Sequence, residues 1–569
     1  MNFIKEIKQA QEFQKKGNFD KAISIYKNII FQDKENFEAN NGLAITFILN
    51  NNINQSVNIL NKMIELYPKR YEPLVNLSNI YLSKNKFHEA IKLLTKANKI
   101  KTCDIKILES LSYSYFKIND FVNSKKNIKN LLHFNKNNFF VLNILGQIYF
   151  KKEKIDESIS YFNSAIKSNN KFWPPYDNLM TLYEKTNKLE EFEFILSKAL
   201  KFIDVSKNYK LKYFQSLLYF RQSKYQNAID LLKKIKKEVE TKKFISPQSY
   251  YDLLGKNYDK IKKFDLAYVN FTKRNQIIEN LEENKKFDKK VLLELIKNYK
   301  NYFVKKNIKN FKIYNNIDNF NDPVFLIGFP RSGTTLLDSI LRSHSKTLVL
   351  EEKPYISAIR DKFFKNNFNL ISALKDIKKS DIIKLREEYF RKTKSNFKTK
   401  QSKIIIDKLP LNIIEIGFIK RIFPKSKFIL MVRKPHDAIL SCFLTDFQVN
   451  EAMTHFLKIE DSINLYLEVF ELWDQYRINL NLKFQTIKYE DIILNFDETI
   501  TKLIKFLNIN WEENLKNFQL TAIQRSKINT PSYNQVIKPL NSESIDRWKK
   551  YDEIKFSQKL NNWVKYFNY

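Results

Sequence analysis

Residues 324–335 read VFLIGFPRSGTT, and this stretch decides the fold of the C-terminal part of the chain. Its first five residues form a short apolar run of the type that builds a buried strand. Two glycines, Gly328 and Gly333, bound the turn that follows, in a chain with only 7 glycines. Their clustering indicates backbone that needs positive φ or approaches a ligand closely. An amphipathic helix pattern, LLDSILR, continues at 336–342.

A strand, a tight turn and a helix N-terminus together form an anion cradle, because the unpaired amides of the first helical turn and the positive end of the helix dipole face one point. The alternative is an ordinary strand–helix turn. The spacing from Gly328 to Gly333 matches the nucleotide P-loop, but Thr334 stands where that motif has lysine. Kinase or NTPase chemistry is therefore not expected, and Arg331 supplies a cation at another position of the loop.

The first half of the chain repeats with a period of 34 residues. Aromatic residues keep this step at Phe47, Tyr81, Tyr115, Tyr149 and Tyr183, and small residues keep it at Ala22, Ser56, Ala90, Ser124 and Ser158. Each unit reads as a helical hairpin in which the small residue lets the helices approach and the aromatic side chain fills the groove. These aromatic residues are therefore expected in the core rather than in a base-stacking platform.

This pattern resembles the tetratricopeptide repeat. The resemblance implies an all-α superhelix over residues 1–280 with about seven to eight repeats, whose groove binds a protein or peptide. Residues 281–320 are expected to form a linker helix and a connector. The second domain, an α/β P-loop-like domain with a parallel central sheet, is expected over residues 321–569.

The string PRSGTT at 330–335 resembles the 5′-phosphosulfate loop of sulfotransferases that use 3′-phosphoadenosine-5′-phosphosulfate (PAPS). The resemblance is to the tyrosylprotein sulfotransferase-like family, including its forms fused to tetratricopeptide repeats, and spans roughly residues 321–551. Two further blocks carry it, KFILMVRKPHDAILS at 427–441 and TPSYNQVIKPLN at 530–541. The first of these reads as a strand that ends in an arginine, with a serine about two helical turns further on.

The resemblance implies a PAPS site that needs no metal. In the family, the residues matching Arg433 and Ser441 clamp the 3′-phosphate, the residue matching Tyr489 lies beside the nucleotide, and the block at 530–541 covers the cofactor. The implied cofactor-binding residues are Arg331, Ser332, Gly333, Thr334, Thr335, Arg433, Ser441, Tyr489, Ser532, Gln535, Val536, Lys538, Asn541 and Arg547.

By the same resemblance, Glu352 is the general base that receives the proton of the acceptor hydroxyl, and the neighbouring Glu351 is the alternative. The residues expected to stabilise the transition state are Arg331, Lys408 and Ser532. Two positions depart from the animal members of the family, because Pro354 and Thr445 stand where those enzymes carry arginine. His344 and His436 could act as bases in principle, but their positions favour structural roles.

Composition limits the other possibilities. The chain has 569 residues and a net charge of +37, with 43% hydrophobic and 14% aromatic residues, which excludes a disordered chain. Only 2 cysteines are present, so neither a disulfide framework nor a four-cysteine zinc site can form. The sequence contains neither a signal-peptide pattern nor an apolar run long enough to span a membrane, which predicts a cytoplasmic protein without a membrane partner.

The hypothesis favoured by the sequence is a PAPS-dependent sulfotransferase that acts on a protein or peptide tyrosine presented by the repeats. The second hypothesis keeps the chemistry but makes the acceptor a glycan or a small hydroxyl compound. The third is a non-catalytic repeat scaffold. A nucleic-acid partner would rest on the positive charge alone, and a general lysine bias explains that charge better.

Overall fold

A computed structural model describes residues 3–206, 208–242, 244–308, 313–314, 317–350, 352–364, 374–375, 377–394, 403–524 and 539–569. The chain separates into two compact units, Met1–Phe214 and Gln215–Tyr569. Among the described residues, no helix is both long enough and apolar enough to cross a membrane. The predicted boundaries at residues 280 and 320 come from the sequence and stay a prediction.

The first unit is built from consecutive helical pairs. Its helices are α1 Ile4–Lys15, α2 Phe19–Gln32, α3 Phe37–Leu49, α4 Ile53–Leu66, α5 Glu72–Ser83, α6 Phe87–Ile100, α7 Ile105–Lys117, α8 Phe121–Phe134, α9 Phe139–Lys151, α10 Ile155–Ser168, α11 Pro174–Lys185 and α12 Leu189–Phe202, and α13 Tyr209–Arg221 crosses the unit boundary. The predicted all-α repeat architecture is therefore confirmed.

The turn inside each pair explains the period. One residue per turn has a positive φ between 57° and 76°, at Gly17, Asn51, Asn85, Asn119, Glu153 and Asn187, each 34 residues after the last. The same conformation recurs at Ser223 and Lys262, where the spacing lengthens. Asparagine occupies most of these positions because it is among the few non-glycine residues that tolerate the left-handed region.

The small and aromatic positions of the repeat form the core, as predicted. The five small residues named above are fully buried. Phe47 and Tyr183 are buried as well, while Tyr81, Tyr115 and Tyr149 are half-buried and pack against the apolar clusters of neighbouring helices or against other rings. At Gly146, an added Cβ would lie 2.5 Å from the ring of Phe162, which shows how closely α9 and α10 approach.

The second unit begins with more helices of the same kind. They are α14 Tyr225–Lys234, α15 Lys236–Lys242, α16 Pro247–Lys260, α17 Phe264–Glu279, α18 Lys289–Tyr302 and α19 Lys305–Ile308. Helices α16 and α17 form a hairpin in which Gly255 faces the ring of Phe271, at the sequence separation that Gly146 keeps from Phe162. Helix α18, in the predicted linker, donates from Lys300 to Glu468 and from Tyr299 to Glu415.

A five-stranded parallel sheet forms the centre of the second unit. Its strands are β1 Val324–Gly328, β2 Thr347–Val349, β3 Ile404–Lys408, β4 Lys427–Val432 and β5 Lys483–Lys488, in the order β2-β3-β1-β4-β5. The register aligns Leu326 with Lys408 and Gly328 with Met431. The carboxyl ends of the strands therefore lie at one edge, where parallel α/β sheets bind their ligands. The predicted parallel α/β domain is confirmed.

Helices surround this sheet. They are α20 Thr334–Arg342, α21 Tyr355–Phe364, α22 Lys379–Lys394, α23 Ile416–Ile422, α24 Pro435–Phe443, α25 Ile459–Asn479, α26 Tyr489–Leu494, α27 Phe496–Leu507, α28 Phe518–Gln524 and α29 Leu560–Tyr566. Short 3₁₀ helices lie at Glu282–Asn284, Pro410–Ile413, Met453–Leu457, Glu513–Leu515 and Arg547–Lys550. The core below the site combines apolar residues of the strands with those of α20 and α27.

Candidate active site

The loop between β1 and α20 has the backbone conformation of a ligand-binding turn. Gly333 has φ of +96°, and a Cβ there would lie 2.7 Å from the Tyr489 ring. Arg331 has φ of +66°, a conformation that is rare for side-chain-bearing residues and clusters at functional sites. Gly328 has a different role, because its added Cβ would meet the Met431 carbonyl oxygen of β4. Its small size therefore serves strand packing.

Helix α20 starts directly after this loop, so the amides of its first turn have no carbonyl partner within the helix. Ser332, Thr334 and Thr335 are buried beside them, while Gly333 is partly exposed. Together with the positive end of the helix dipole, these amides form a site suited to a phosphate or sulfate group.

A carboxylate and an ammonium group meet at the ends of β2 and β3. The Nζ of Lys408 lies 2.6 Å from Oε1 of Glu352 and 3.4 Å from Oδ2 of Asp338. The Lys408 side chain is 1% exposed, whereas that of Glu352 is 31% exposed, so a substrate can reach the glutamate. Asp338 also accepts from Arg342 and is thus a second carboxylate partner of the lysine. Sequence reasoning missed Asp338, although an aspartate on the apolar face of α20 was a usable signal.

Arg331 links this pair to helix α24. Its Nε donates to Oγ of Ser441 at 3.1 Å, and the negative charge of Glu352 acts to raise the pKa of Arg331. Burial lowers the pKa of Arg331 to about 10, and the charges of Arg433 and Arg547 act in the same direction. The arginine remains charged at neutral pH, so three guanidinium groups concentrate positive charge around one point. Such a concentration favours an anionic ligand.

Arg433 follows the end of β4 and is 7% exposed. Its Nη1 donates to the Arg331 carbonyl oxygen at 3.2 Å, its Nη2 donates to the Ser544 carbonyl oxygen, and its guanidinium lies 5.0 Å from the Tyr489 ring. Its Nε is buried and has no hydrogen-bond partner within the part of the chain that the structure describes. A buried donor of this kind is available to an acceptor that enters the site.

The segment that contains Ser544 is fixed to helix α24. Both oxygens of Asp437 accept backbone hydrogen bonds, from Asp546 at 2.8 Å and from Trp548 at 2.9 Å. Lys434 adds an ion pair to Asp546 at 2.6 Å, and the Tyr489 hydroxyl lies 2.7 Å from Oγ of Ser544. Sequence reasoning missed Asp437 and Ser544. Since these contacts join residues between 55 and 112 positions apart, no local pattern reveals them.

Several predicted cofactor residues lie outside the described residues, namely Ser532, Gln535, Val536 and Lys538, as does the alternative base Glu351. Asn541 is described and exposed, and its amide donates to the Pro539 carbonyl oxygen. Arg547 pairs with Asp259 of α16, with Nη2 and Oδ1 2.7 Å apart. The structure therefore brings together Arg331, Glu352, Lys408, Arg433, Ser441 and Tyr489 at one edge of the sheet.

Comparison with known proteins finds a family match in each half of the chain. Residues 323–513 match the Sulfotransferase family model. The Tetratricopeptide repeat model matches residues 71–102 and 141–172. The chain thus combines a sulfotransferase-family domain with tetratricopeptide repeats, as predicted.

Relatives share this domain at low identity. Protein-tyrosine sulfotransferase 2 of Gallus gallus is 24% identical over 249 residues, which cover 40% of this chain and 62% of the relative. Protein-tyrosine sulfotransferase 1 of Danio rerio is 24% identical over 233 residues, 40% of this chain and 65% of the relative. An uncharacterized protein of Aquifex aeolicus is 25% identical over 248 residues, 41% of this chain and 31% of the relative. The chain thus spans less than two thirds of these relatives.

Solved structures match the helical half. A tetratricopeptide repeat protein from Parabacteroides merdae is 19% identical with a TM-score of 0.31, and the match covers 49% of this chain and 94% of that protein. The crystal structure of MamA is 21% identical with a TM-score of 0.27, and the match covers 28% of this chain and 94% of MamA.

Pro354 and Thr445, the two positions predicted to depart from the animal enzymes, make local backbone contacts. The carbonyl of Pro354 accepts from the Ala358 amide at the start of α21. The hydroxyl of Thr445 donates to the Ser441 carbonyl oxygen at 2.6 Å, at the end of α24. Thr445 thus supports the backbone of Ser441. Within the described residues, no group of three or more His, Cys, Asp or Glu side chains is arranged to hold a metal ion.

Both histidines of the sulfotransferase domain that could act as bases have structural contacts. The His344 ring contacts the Asn510 carbonyl oxygen at 2.7 Å and the Lys346 amide at 3.0 Å. The His436 ring stacks on Trp548 with centroids 4.4 Å apart. Burial lowers the pKa of His436 to about 4, with Lys434 acting in the same direction. His436 is therefore neutral at physiological pH.

This low pKa predicts a pH effect on stability. The unfolded chain takes up a proton at His436 below about pH 6.5, whereas the folded protein does so only near pH 4. The contribution of His436 to stability is thus complete above pH 6.5 and lost as the pH falls towards 4. His436→Phe keeps the stacking on Trp548 and cannot be protonated. Between pH 7 and pH 5, we expect the Tm of this variant to fall by about 2–4 °C less than the Tm of the wild type.

The measurement is thermal unfolding at both pH values. The control is His133→Gln, which changes an exposed histidine of α8 and should behave like the wild type. His436→Phe should also retain transfer activity. A loss of activity of more than about 100-fold in a folded variant would show that His436 acts in catalysis.

Proposed function

We propose that the sulfotransferase domain transfers the sulfuryl group of PAPS to a hydroxyl acceptor. The observation that carries this proposal is the position of Arg331 in the phosphate cradle, where its guanidinium bonds Ser441 of α24 and its charge interacts with that of Glu352. The unpartnered Nε of Arg433 and the close approach of Tyr489 to Gly333 support a bound nucleotide.

The proposed binding mode divides the cofactor between two groups of residues. The amides of residues 332–335 hold the 5′-phosphosulfate, and Arg433 with Ser441 holds the 3′-phosphate. Tyr489 packs beside the nucleotide, and Ser532, Gln535, Val536, Lys538, Asn541 and Arg547 are proposed from the family resemblance to complete the site. PAPS supplies the activated sulfuryl group when bound.

Glu352 is proposed to receive the acceptor proton. A phenol near pKa 10 and a free glutamate near pKa 4.3 differ by about 6 units, or about 8 kcal/mol, so full proton transfer before attack is unfavourable. The proton therefore moves to Glu352 while the acceptor oxygen attacks. Lys408, held by Asp338, and Arg331 stabilise the negative charge that develops on the transferred group and on the departing phosphate.

Tyrosine in a protein or peptide is the proposed acceptor. Two observations support it. The Gallus gallus and Danio rerio relatives are protein-tyrosine sulfotransferases, and tetratricopeptide repeats in general mediate protein–protein interaction. Pro354, in place of the arginine of the animal enzymes, favours the second candidate, a glycan or small hydroxyl acceptor. A non-catalytic scaffold is a third reading, which the contact between Glu352 and Lys408 argues against.

The experiment is transfer of radiolabelled sulfate from PAPS by the full chain to tyrosyl peptides, to their phenylalanine counterparts and to a panel of sugars. Transfer that requires tyrosine supports the proposed acceptor, and transfer to sugars alone replaces it with a glycan. If the folded protein transfers sulfate to no acceptor and binds no 3′-phosphoadenosine-5′-phosphate (PAP) by calorimetry, the enzyme proposal is wrong and the scaffold remains.

A further inference from the structure

A fully buried arginine of helix α17 caps the helix that carries Ser441. Arg274 is 0% exposed. Its Nη2 donates to the Phe443 carbonyl oxygen at 2.6 Å, and its Nη1 donates to the Leu444 carbonyl oxygen at 3.0 Å. The neighbouring Asn275 donates to the same Phe443 oxygen at 3.3 Å. These carbonyls end helix α24, two and three residues beyond Ser441.

The last carbonyl groups of a helix have no partners within the helix, and this end carries the negative end of the helix dipole. A guanidinium placed there donates hydrogen bonds to the carbonyls and its positive charge interacts favourably with the dipole. The charge of Arg274 is balanced by Asp252 of α16, whose Oδ1 lies 2.7 Å from Nη1. Burial would raise the pKa of Asp252, but Lys256 and Arg274 beside it keep the pKa below its usual value. The arginine is therefore held in one orientation by groups of its own hairpin.

A second contact joins the same hairpin to the other side of the cofactor region. Asp259, at the end of α16, accepts from the Tyr551 hydroxyl at 2.6 Å and pairs with Arg547 at 2.7 Å. The Phe264 ring of α17 packs on the Tyr551 ring with centroids 5.3 Å apart. In the same way, the Tyr268 ring lies 5.5 Å from the Phe443 ring.

We propose that the hairpin α16–α17, although built like a repeat, is a fixed part of the cofactor site. Arg274 positions Ser441 by capping α24, and Asp259 positions Arg547. Both are positioning residues, since neither touches the reacting atoms. The proposal rests on the proposed function, because it assigns these contacts to binding of the 3′-phosphate nucleotide.

Arg274→Lys and Asp259→Asn test this proposal in the full chain. Lysine keeps the charge of Arg274 but cannot bond two carbonyls and Asp252 with a rigid fork. We expect the Kd for PAP and the KM for PAPS to rise about tenfold, the equivalent of about one hydrogen bond, while kcat stays within about twofold. Asp259→Asn should raise the same two constants in the same direction.

The decisive readout is selectivity for the 3′-phosphate. Adenosine 5′-phosphate lacks that group, so Arg274→Lys should weaken binding of PAP about tenfold and leave binding of adenosine 5′-phosphate unchanged. If Arg274 had a purely structural role, the substitution would weaken the binding of both nucleotides equally. The matched controls are Lys273→Ala and Asp265→Asn, two exposed residues of α17 that should behave like the wild type.

Unchanged PAP binding in both variants would overturn the proposal, as would an equal loss for both nucleotides together with a lowered Tm. If Arg274→Lys does not fold, Asp259→Asn decides alone, because asparagine has the same shape as aspartate and fits the same partly buried position. If the wild type binds PAP and both variants bind it with the same affinity, only this inference is wrong. A folded wild type that binds no PAP removes the proposed function, and the inference with it.

Discussion

Replacing Glu352 with glutamine is expected to lower kcat for sulfate transfer by about 10²–10⁴, the usual effect of removing a general base. Glutamine keeps the shape of the side chain but cannot accept the proton of the attacking hydroxyl. Because Glu352 is proposed to act on the acceptor rather than to bind the nucleotide, the Kd for PAP should stay within about twofold of the wild type. Steady-state kinetics and calorimetry on the same preparation measure both quantities.

The variant should fold, since Lys408 keeps Asp338 as a partner 3.4 Å away. Glu498→Gln is the matched control, because Glu498 is an exposed glutamate that pairs with Lys502 and has no proposed role in the site. Undiminished kcat in Glu352→Gln would refute the assignment of the base, and the same substitution at Glu351 would then test the alternative.

Replacing Arg433 with alanine is expected to raise the Kd for PAP by about 10–100-fold, the range of a hydrogen-bonded charged group. Alanine removes the proposed contact with the 3′-phosphate, the cation over the Tyr489 ring and the bond to the Ser544 carbonyl oxygen. Calorimetry with PAP measures this loss directly. The Arg433→Ala substitution should also weaken the salt dependence of PAP binding, because one positive charge fewer faces the phosphate.

Arg433→Lys should fall between alanine and the wild type, since lysine keeps the charge but loses the planar fork. Arg477→Ala, which removes an exposed arginine of α25 paired with Asp474, is the control for a general loss of positive charge. Wild-type affinity in Arg433→Ala, with the protein folded, would contradict the proposed 3′-phosphate site.

Much of the fold could be predicted because its causes are local. The 34-residue period follows from one left-handed residue per turn and one small residue per helix contact, and each leaves a mark on the sequence. The parallel sheet followed from an apolar run that ends in a glycine-bounded turn. The roles of Arg331, Glu352 and Lys408 are predicted only through the family resemblance, and the β1–β3 register places Lys408 beside Leu326 of the strand that leads into the Arg331 loop.

Other parts of the site depend on contacts between distant residues, which no period or motif encodes. Asp338 is found at the site only because β1 and β3 are neighbours, so that the helix after β1 reaches Lys408. Arg274 belongs to no motif that the sequence reveals, and it lies 0% exposed against residues about 170 positions away. The spacing of the left-handed turns lengthens at Ser223 and Lys262, but no sequence pattern reveals what the last hairpin contacts.

The turn conformation shared by the helical pairs also bears on how this chain can change its length over evolution. Six left-handed turns follow each other at equal intervals up to Asn187, so adding or deleting 34 residues there restores the same sequence of turns and contacts. The later pairs lack that interchangeability, since the turns at Ser223 and Lys262 break the interval and α16–α17 has its own partners in the sulfotransferase domain. Duplication and loss should therefore be confined to the pairs before α13, and the last hairpin should be inherited together with the domain that follows it.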